Sequence, residues 1–232
     1  MAGRVAEDAR GLNSSRFDSD GAEIHRGLAS RHLETLADLF ARIADGAGAR
    51  LSDKSAVDFL ANRDSRLTNI VSELIGAPAS VVRAIAFDKS PSNNWALGWH
   101  QDRTICVKQR SNVDGFGPWT VKQGMHHVQP PFYITAQMVT VRIHLDPVTS
   151  ANAPLKVALG SHRLGRVADR EAEAVAAKHD QLQCLASSGD VWIYSTPILH
   201  ASERSSSGGH RRVLQLDFCS RALPKPLEWL LA

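Results

Sequence analysis

A chain of 232 residues with 43% hydrophobic and 22% charged side chains has the composition of a soluble globular protein and is long enough to bury one sizeable core. Its net charge is only +3 and its basic residues are scattered, which argues against a nucleic-acid partner. No apolar stretch reaches the roughly 20 residues of a bilayer span, and the polar segment Met1 to Asp20 has no signal-peptide core, so a cytoplasmic protein with no membrane partner is expected.

Residues 1–30, rich in Gly, Ser, Asp and Arg, lack an apolar period and are expected to form a flexible leader. The pattern changes at Arg31. Leu33, Leu36, Leu39, Phe40 and Ile43 recur at helical spacing until the Gly46-Ala47-Gly48 segment stops them. Further helices are expected near 54–61 and 65–75, the second ended by Gly76 with Pro78 just beyond. Short strands between turn clusters then dominate, near 81–87, 96–101, 138–145, 155–158, 191–195 and 211–219, with one helix near 169–178. This order predicts a mainly β sandwich or barrel, with a helical cap over 31–78 and a β core over 79–220, in a single domain spanning 31–232. The segment 111–131, long and carrying Gly, Pro and Trp119, reads as a functional loop. Cys106, Cys184 and Cys219 are too widely spaced for a zinc ribbon and odd in number, so they read as reduced, buried, small apolar residues.

The chemistry concentrates in His100-Gln101-Asp102, His200 and Arg211. Two imidazoles and one carboxylate can occupy one face of an octahedral metal and leave its other positions open, as in non-haem Fe(II) oxygenases. On a strand, the ligands of His-X-Asp at i and i+2 point to the same face. An arginine eleven residues beyond His200 would hold the far carboxylate of a 2-oxo acid. A second copy, His144-Leu145-Asp146, also precedes His200, and spacing alone does not choose between the two. Asp146 does lead into Pro147 and a polar turn, where a strand-terminating residue is natural.

The segments Trp99-His100-Gln101-Asp102, Asn152-Ala153-Pro154-Leu155, Gly160-Ser161-His162, His200-Ala201-Ser202 and His210-Arg211-Arg212-Val213-Leu214 resemble, in order and spacing, the successive motifs of the phytanoyl-CoA dioxygenase family. The stretch Trp119 to Met125 resembles its ectoine hydroxylase branch. The resemblance covers roughly residue 81 to the C-terminus. It implies a double-stranded β-helix, a cupin-like jelly roll with Fe(II) held by His100, Asp102 and His200. It also implies 2-oxoglutarate and O2 as co-substrates, with Arg211, Ser202 and Gln137 as the cofactor-binding residues, the first two seating the distal carboxylate. The implied reaction is an oxidation of a small-molecule substrate, typically a hydroxylation, with release of succinate and CO2. Two positions depart from the family pattern: Ala153 stands where glycine is usual, and Leu159 where proline usually precedes Gly-Ser-His.

On this alignment His144 becomes a satisfied, half-buried strand histidine. Strand alternation lets only one of Arg211 and Arg212 face the barrel, and the spacing favours Arg211, leaving Arg212 as an ordinary solvated charge. Arg83 and Arg142, if inward, need an anion, which a protein carboxylate or a ligand can supply. Trp119, Lys122 and His127 on the long loop complete the candidate substrate residues, and the cations together suggest a carboxylate-bearing substrate. The carboxylate of Asp102 argues against the halogenating variant, which lacks that ligand. Desaturation by the same site, and a metal-bearing jelly roll that binds a ligand without turnover, stay compatible with these residues. Oligomeric state leaves no readable mark in the sequence.

Overall fold

The computed structural model describes residues 14–43, 48–206 and 208–232. In chain order, α1 (Ser14–Asp20) leads into β1 (Ala22–His25), α2 (Leu33–Ala41), β2 (Ala49–Leu51), α3 (Asp58–Ala61) and α4 (Arg66–Ile75). There follow β3 (Ser80–Lys89), β4 (Leu97–His100), β5 (Ile105–Val107), β6 (Trp119–Lys122), β7 (Met125–Val128) and α5 (Phe132–Thr135). The chain ends through β8 (Val139–His144), β9 (Leu155–Ala158), α6 (Ala172–Ala176), β10 (Gln181–Cys184), β11 (Val191–Ser195), β12 (His200–Ser202) and β13 (Arg211–Cys219).

The strands form a six-stranded sheet in the order β1-β11-β8-β13-β3-β2, a four-stranded sheet β10-β9-β12-β4 and a three-stranded sheet β5-β7-β6. Every pairing is antiparallel. Alternation divides the large sheet into two unlike faces. One carries Ala84, Ala86, Val141, Ile143, Ile193, Leu214 and Leu216, all buried in one cluster with Leu36 and Leu39 of α2 and Leu67, Ile70 and Val71 of α4. Burying each large aliphatic side chain there contributes about 1.5–3 kcal/mol, which fastens the helical cap to the sheet. The opposite face carries Arg83, Lys89, Arg142, Arg211, Gln215 and Asp217, all buried. A jelly roll with one greasy outer face and a polar interior is the expected architecture, and the polar interior is where a site has to lie.

Local chemistry sets the helix ends. Ser65 accepts a bond from Thr68 N at 3.1 Å, and Gly76 closes α4 in the left-handed region at φ 76°, as its place after the last apolar residue predicts. The expected helix at 54–61 is a 3-10 turn, Lys54–Val57, running into α3, and the one at 169–178 is a 3-10 turn, Asp169–Glu171, running into α6.

Three expectations need correction. The leader gives way at Ser14, with residues 1–13 outside the described residues: α1 and β1 are regular, and β1 pairs residue for residue with Val191–Tyr194 at the sheet edge. Main-chain pairing holds β1, and its two apolar residues, Ala22 and Ile24, are too few to mark a period. The long loop contains a hairpin, β6 turning to β7 at Gln123 and Gly124, both at positive φ (52° and 78°). That is the turn usually signalled by Asn-Gly, and Gln-Gly hides it. The C-terminal tail beyond 220 also belongs to the core, since Leu223, Leu227 and Trp229 are buried against Val82, Ile105 and Val107. The helix stop expected at Gly46 and Ala47 falls outside the described residues.

Ala153 sits at φ 58°, ψ 62° after a capping box in which Thr149 and Asn152 bond each other's backbone N–H. The left-handed backbone explains why glycine is the usual residue there, and the cap is what holds alanine in it.

Candidate active site

His100 ends β4, His200 begins β12, and the two stand directly opposite each other in the register of the four-stranded sheet. Their ring centroids lie 4.3 Å apart. Asp102 follows just past the strand end, and one ligand atom from each of the three falls within 4.8 Å of the others. Both histidines are set for a metal in the same way. His100 Nδ1 lies 2.7 Å from Gly98 O and His200 Nδ1 lies 2.9 Å from Ile198 O. A carbonyl can only accept, so each Nδ1 carries the proton and each Nε2 is left bare toward the shared centre.

Asp102 is fixed from behind. Its Oδ2 accepts from Arg83 Nη2 at 3.3 Å and from Gln215 Nε2 at 3.4 Å. Burial alone raises a carboxyl pKa, but Arg83, then His200 and His100, outweigh it and hold Asp102 down at about 2, ionised and ready to ligate. Arg83 is itself clamped: its Nε donates to Asp217, its Nη1 to Thr104 O at 3.0 Å. Asp217 Oδ1 accepts further bonds from Thr140 at 3.1 Å and Gln215 at 3.3 Å. Gln101, between the two ligands, turns to the other side and ties three backbone segments, donating to Gly165 O (2.9 Å) and Pro197 O (2.7 Å) and accepting from Val167 N (2.9 Å).

Four residues along β13 from Gln215 the electrostatics change character. Arg211 is 3% exposed, and its Nε and Nη1 are buried with no partner. Beside it Arg142 donates from Nη1 to Gln215 Oε1 at 2.9 Å, while its Nε is unpaired. Lys89, opposite Arg211 across β3 and β13, donates to Ser202 Oγ at 2.6 Å and to Glu203 O. Burial, then Arg142, pulls Arg211 down to about 9; burial, then Arg211, Arg142 and Arg204, pulls Lys89 down to about 7. Among the described residues no carboxylate pairs with Arg211 or Arg142. Unpaired buried charge costs several kcal/mol, so this pocket calls for an anion from outside the chain. Two guanidinium groups and a hydroxyl-bound ammonium fit the distal carboxylate of a 2-oxo diacid, and the bare Nε2 pair with Asp102 fits a divalent iron.

The second His-X-Asp copy is elsewhere engaged. Asp146 accepts from Arg212 N (2.7 Å), Nε (2.9 Å) and Nη2 (2.7 Å). Arg212 thus faces outward as alternation predicts, but as half of a bidentate pair instead of a free solvated charge. His144 is 1% exposed and neither ring nitrogen has a partner, where a half-buried, satisfied histidine was expected. It lies on the pocket face, opposite Val213. Trp119 packs on the Val82 cluster and stacks with Arg110 at 5.7 Å, a packing anchor of the small sheet. Lys122 is exposed at the hairpin end, His127 is buried, and Gln137 has a buried Oε1 without a hydrogen bond to the triad or Arg211. Gln215, Asp217 and Gln101 are the site residues that motif spacing does not single out. Gln215 and Asp217, alternating with the apolar Leu214, Leu216 and Phe218 in β13, were the signal for the first two.

The sequence profile described as Phytanoyl-CoA dioxygenase (PhyH) matches residues 29–213. The chain belongs to that family. Oxygenases of the family use Fe(II), 2-oxoglutarate and O2, and in this chain His100, Asp102 and His200 could hold a metal ion, with the Arg211 pocket beside them able to take an anion. Among solved structures, AviO1 from Streptomyces viridochromogenes Tue57 is 18% identical with a TM-score of 0.64, covering 91% of this chain and 95% of its own. EctD from S. alaskensis in its apoform is 16% identical with a TM-score of 0.68, over 97% and 83%. The epimerase SnoN, crystallised with Fe3+, alpha ketoglutarate and nogalamycin RO, is 12% identical with a TM-score of 0.63, over 89% and 82%. At these identities the likeness establishes the jelly-roll fold. No curated protein matches the chain. Among the described residues no helix is long and apolar enough to cross a membrane.

Proposed function

We propose that this family member hydroxylates an unactivated C–H bond of a small, carboxylate-bearing molecule in the cytoplasm, with release of succinate and CO2. The observation that carries the reading is the conjunction of a bare two-histidine, one-carboxylate set with a buried, anion-less Arg211. His100, Asp102 and His200 would hold Fe(II), which when bound would supply the O2 activation that this oxidation needs. The chain's own residues do the rest. Arg211 takes the distal carboxylate in two parallel charge-assisted bonds, with Ser202 beside it. Arg83 and Gln215 keep Asp102 ionised and aimed. The retained Asp102 leaves no ligand position for halide, which sets this reading apart from halogenation.

Protein supplied with Fe(II) and 2-oxoglutarate should release succinate slowly without added substrate, and under argon the same mixture should show a weak visible charge-transfer band. Tight zinc uptake with neither band nor succinate would overturn the reading. His100→Ala should abolish stoichiometric iron, whereas His144→Ala should retain it; the reverse result moves the site to the second copy.

A further inference from the structure

Once the co-substrate accounts for Arg211, Arg142 and Lys89, unsatisfied polar atoms remain on the other side of Arg83. Arg50 is the middle residue of β2, at the edge of the large sheet. It stands opposite Ile85, Ile85 stands opposite Gln215, and directly paired residues share a face, so Arg50 looks into the barrel in the same row as the residue that bonds Asp102. Two strand spacings put its Cα roughly 10 Å from that of Gln215. Arg50 Nε is buried with no partner, and among the described residues no carboxylate pairs with it.

His127 closes over this place from the three-stranded sheet. It is 1% exposed, its Nδ1 lies 3.0 Å from Met125 O and therefore carries the proton, and its Nε2 is buried with nothing to accept from. Burial, with Arg50, Arg83 and Lys122 adding to it and only the Met125 bond opposing, draws its pKa to about 4, so the ring is a neutral acceptor. The two elements are clipped together at the rim. Gln123, in the β6–β7 turn, accepts from Arg50 N at 2.8 Å and donates to Gly48 O at 3.0 Å, holding the hairpin that bears His127 against the strand that bears Arg50. Arg83, the shared neighbour of both groups, touches Asp102.

We propose that Arg50 and His127 form the substrate-recognition subsite, Arg50 taking an anionic group and His127 Nε2 accepting from a hydroxyl or N–H beside it, so that the substrate class is a small hydroxy acid or its N–H counterpart. This rests on the oxygenase reading, and it adds a second anion position. That position is separate from the co-substrate's, since Arg211 lies four residues, about 13 Å, up the strand from Gln215.

The test uses full-length protein under argon, loaded first with Fe(II) and 2-oxoglutarate so that the Arg211 pocket is filled. Calorimetric titration with small hydroxy acids, the plain acids of the same skeletons and their neutral alcohols or amides should give binding confined to the acids, with the hydroxy acids tightest. Arg50→Met should weaken every acid about tenfold or more while leaving 2-oxoglutarate loading intact. His127→Phe should leave plain acids unchanged and erase the hydroxyl preference. The proposal is overturned if no acid binds, if neutral analogues bind as tightly, if Arg50→Met binds acids like the parent, or if Arg50→Met no longer loads 2-oxoglutarate. Failure of the parent protein to load 2-oxoglutarate at all would instead count against the oxygenase reading.

Discussion

Arg83 and Arg211 are both buried arginines on the interior face of one sheet, on neighbouring strands, yet their surroundings are opposites. Arg83 meets two carboxylates and a carbonyl; among the described residues Arg211 meets Arg142, Lys89 and no anion. Burial disfavours the charge in both. Asp217 and Asp102 outweigh it at Arg83, and only cations stand beside Arg211. The first is finished structure, neutralised within the chain. The second holds its polar atoms ready for a ligand, at a standing cost to the folded protein. What distinguishes a positioning arginine from a binding arginine is therefore the set of partners around it, which burial alone does not reveal.

The sharpest way to break this contrast is stability. Removing Arg83 leaves Asp217, fully buried, without its cation, and breaking such a pair costs about 3–5 kcal/mol. Arg83→Met should accordingly lower the urea midpoint strongly, and iron retention should suffer with it because Asp102 loses its clamp. Arg211→Met should leave the urea midpoint of the unliganded protein unchanged or raised, since it deletes an uncompensated charge. Equal destabilisation by both would erase the distinction.

Ligand binding should reverse the order. Truncating one partner of a desolvated charge pair costs about 2–5 kcal/mol, so Arg211→Ala should raise the 2-oxoglutarate dissociation constant about 30-fold or more, with iron stoichiometry kept. Calorimetry under argon reads both.

Much of this contrast is legible in the sequence. The expected triad and Arg211 come from the resemblance of whole motifs to a family, since spacing alone leaves two His-X-Asp copies open, whereas six strands follow from period-2 runs and turn residues, because those signals are local. The fate of Arg83 is not, since its partner Asp217 lies 134 residues away and the pairing is made by the register of β3 on β13. Arg50 sits in a three-residue edge strand with no period to read, and the hairpin bearing Trp119 and His127 turns on Gln-Gly. Trp119 shows the same limit from the other side: an aromatic in a long segment signals burial, and only packing tells a wall of the pocket from an anchor of the core.

Lys89 offers a finer probe of the ligand-awaiting region. It faces Arg211 on β13, Arg142 on β8, and Arg204 and Glu203 after β12, and rests 5.0 Å from the Trp95 ring. Its folded value of about 7 lies below the ordinary lysine value, so between the two the unfolded chain binds more protons, and unliganded protein should gain stability as pH rises from 7 toward 10. Binding a dicarboxylate favours the charged amine. Below pH 7 that proton is already present; above it, binding must take one up, and affinity for 2-oxoglutarate should fall by at most about tenfold per pH unit. Lys89→Met should flatten the slope. A pH-independent affinity in the parent protein would remove Lys89 from the pocket.

The smallest effect is expected one residue from the largest ligand effect. Arg212 alternates to the opposite face from Arg211 and forms a bidentate pair with Asp146, with side chains 33% and 16% exposed. Solvent screening keeps such a pair near the surface range, about 0.5–1 kcal/mol, and Asp146 keeps its bond from the Arg212 backbone N–H whatever side chain stands there. Arg212→Ala should lower stability by about that amount, with 2-oxoglutarate affinity and iron content unchanged. The loss should shrink further in high salt, as it does for exposed charges. A 2-oxoglutarate defect in Arg212→Ala comparable to that of Arg211→Ala would contradict the register of β13 on β3 and β8. With it would fall the assignment of one arginine to the ligand and its neighbour to the fold.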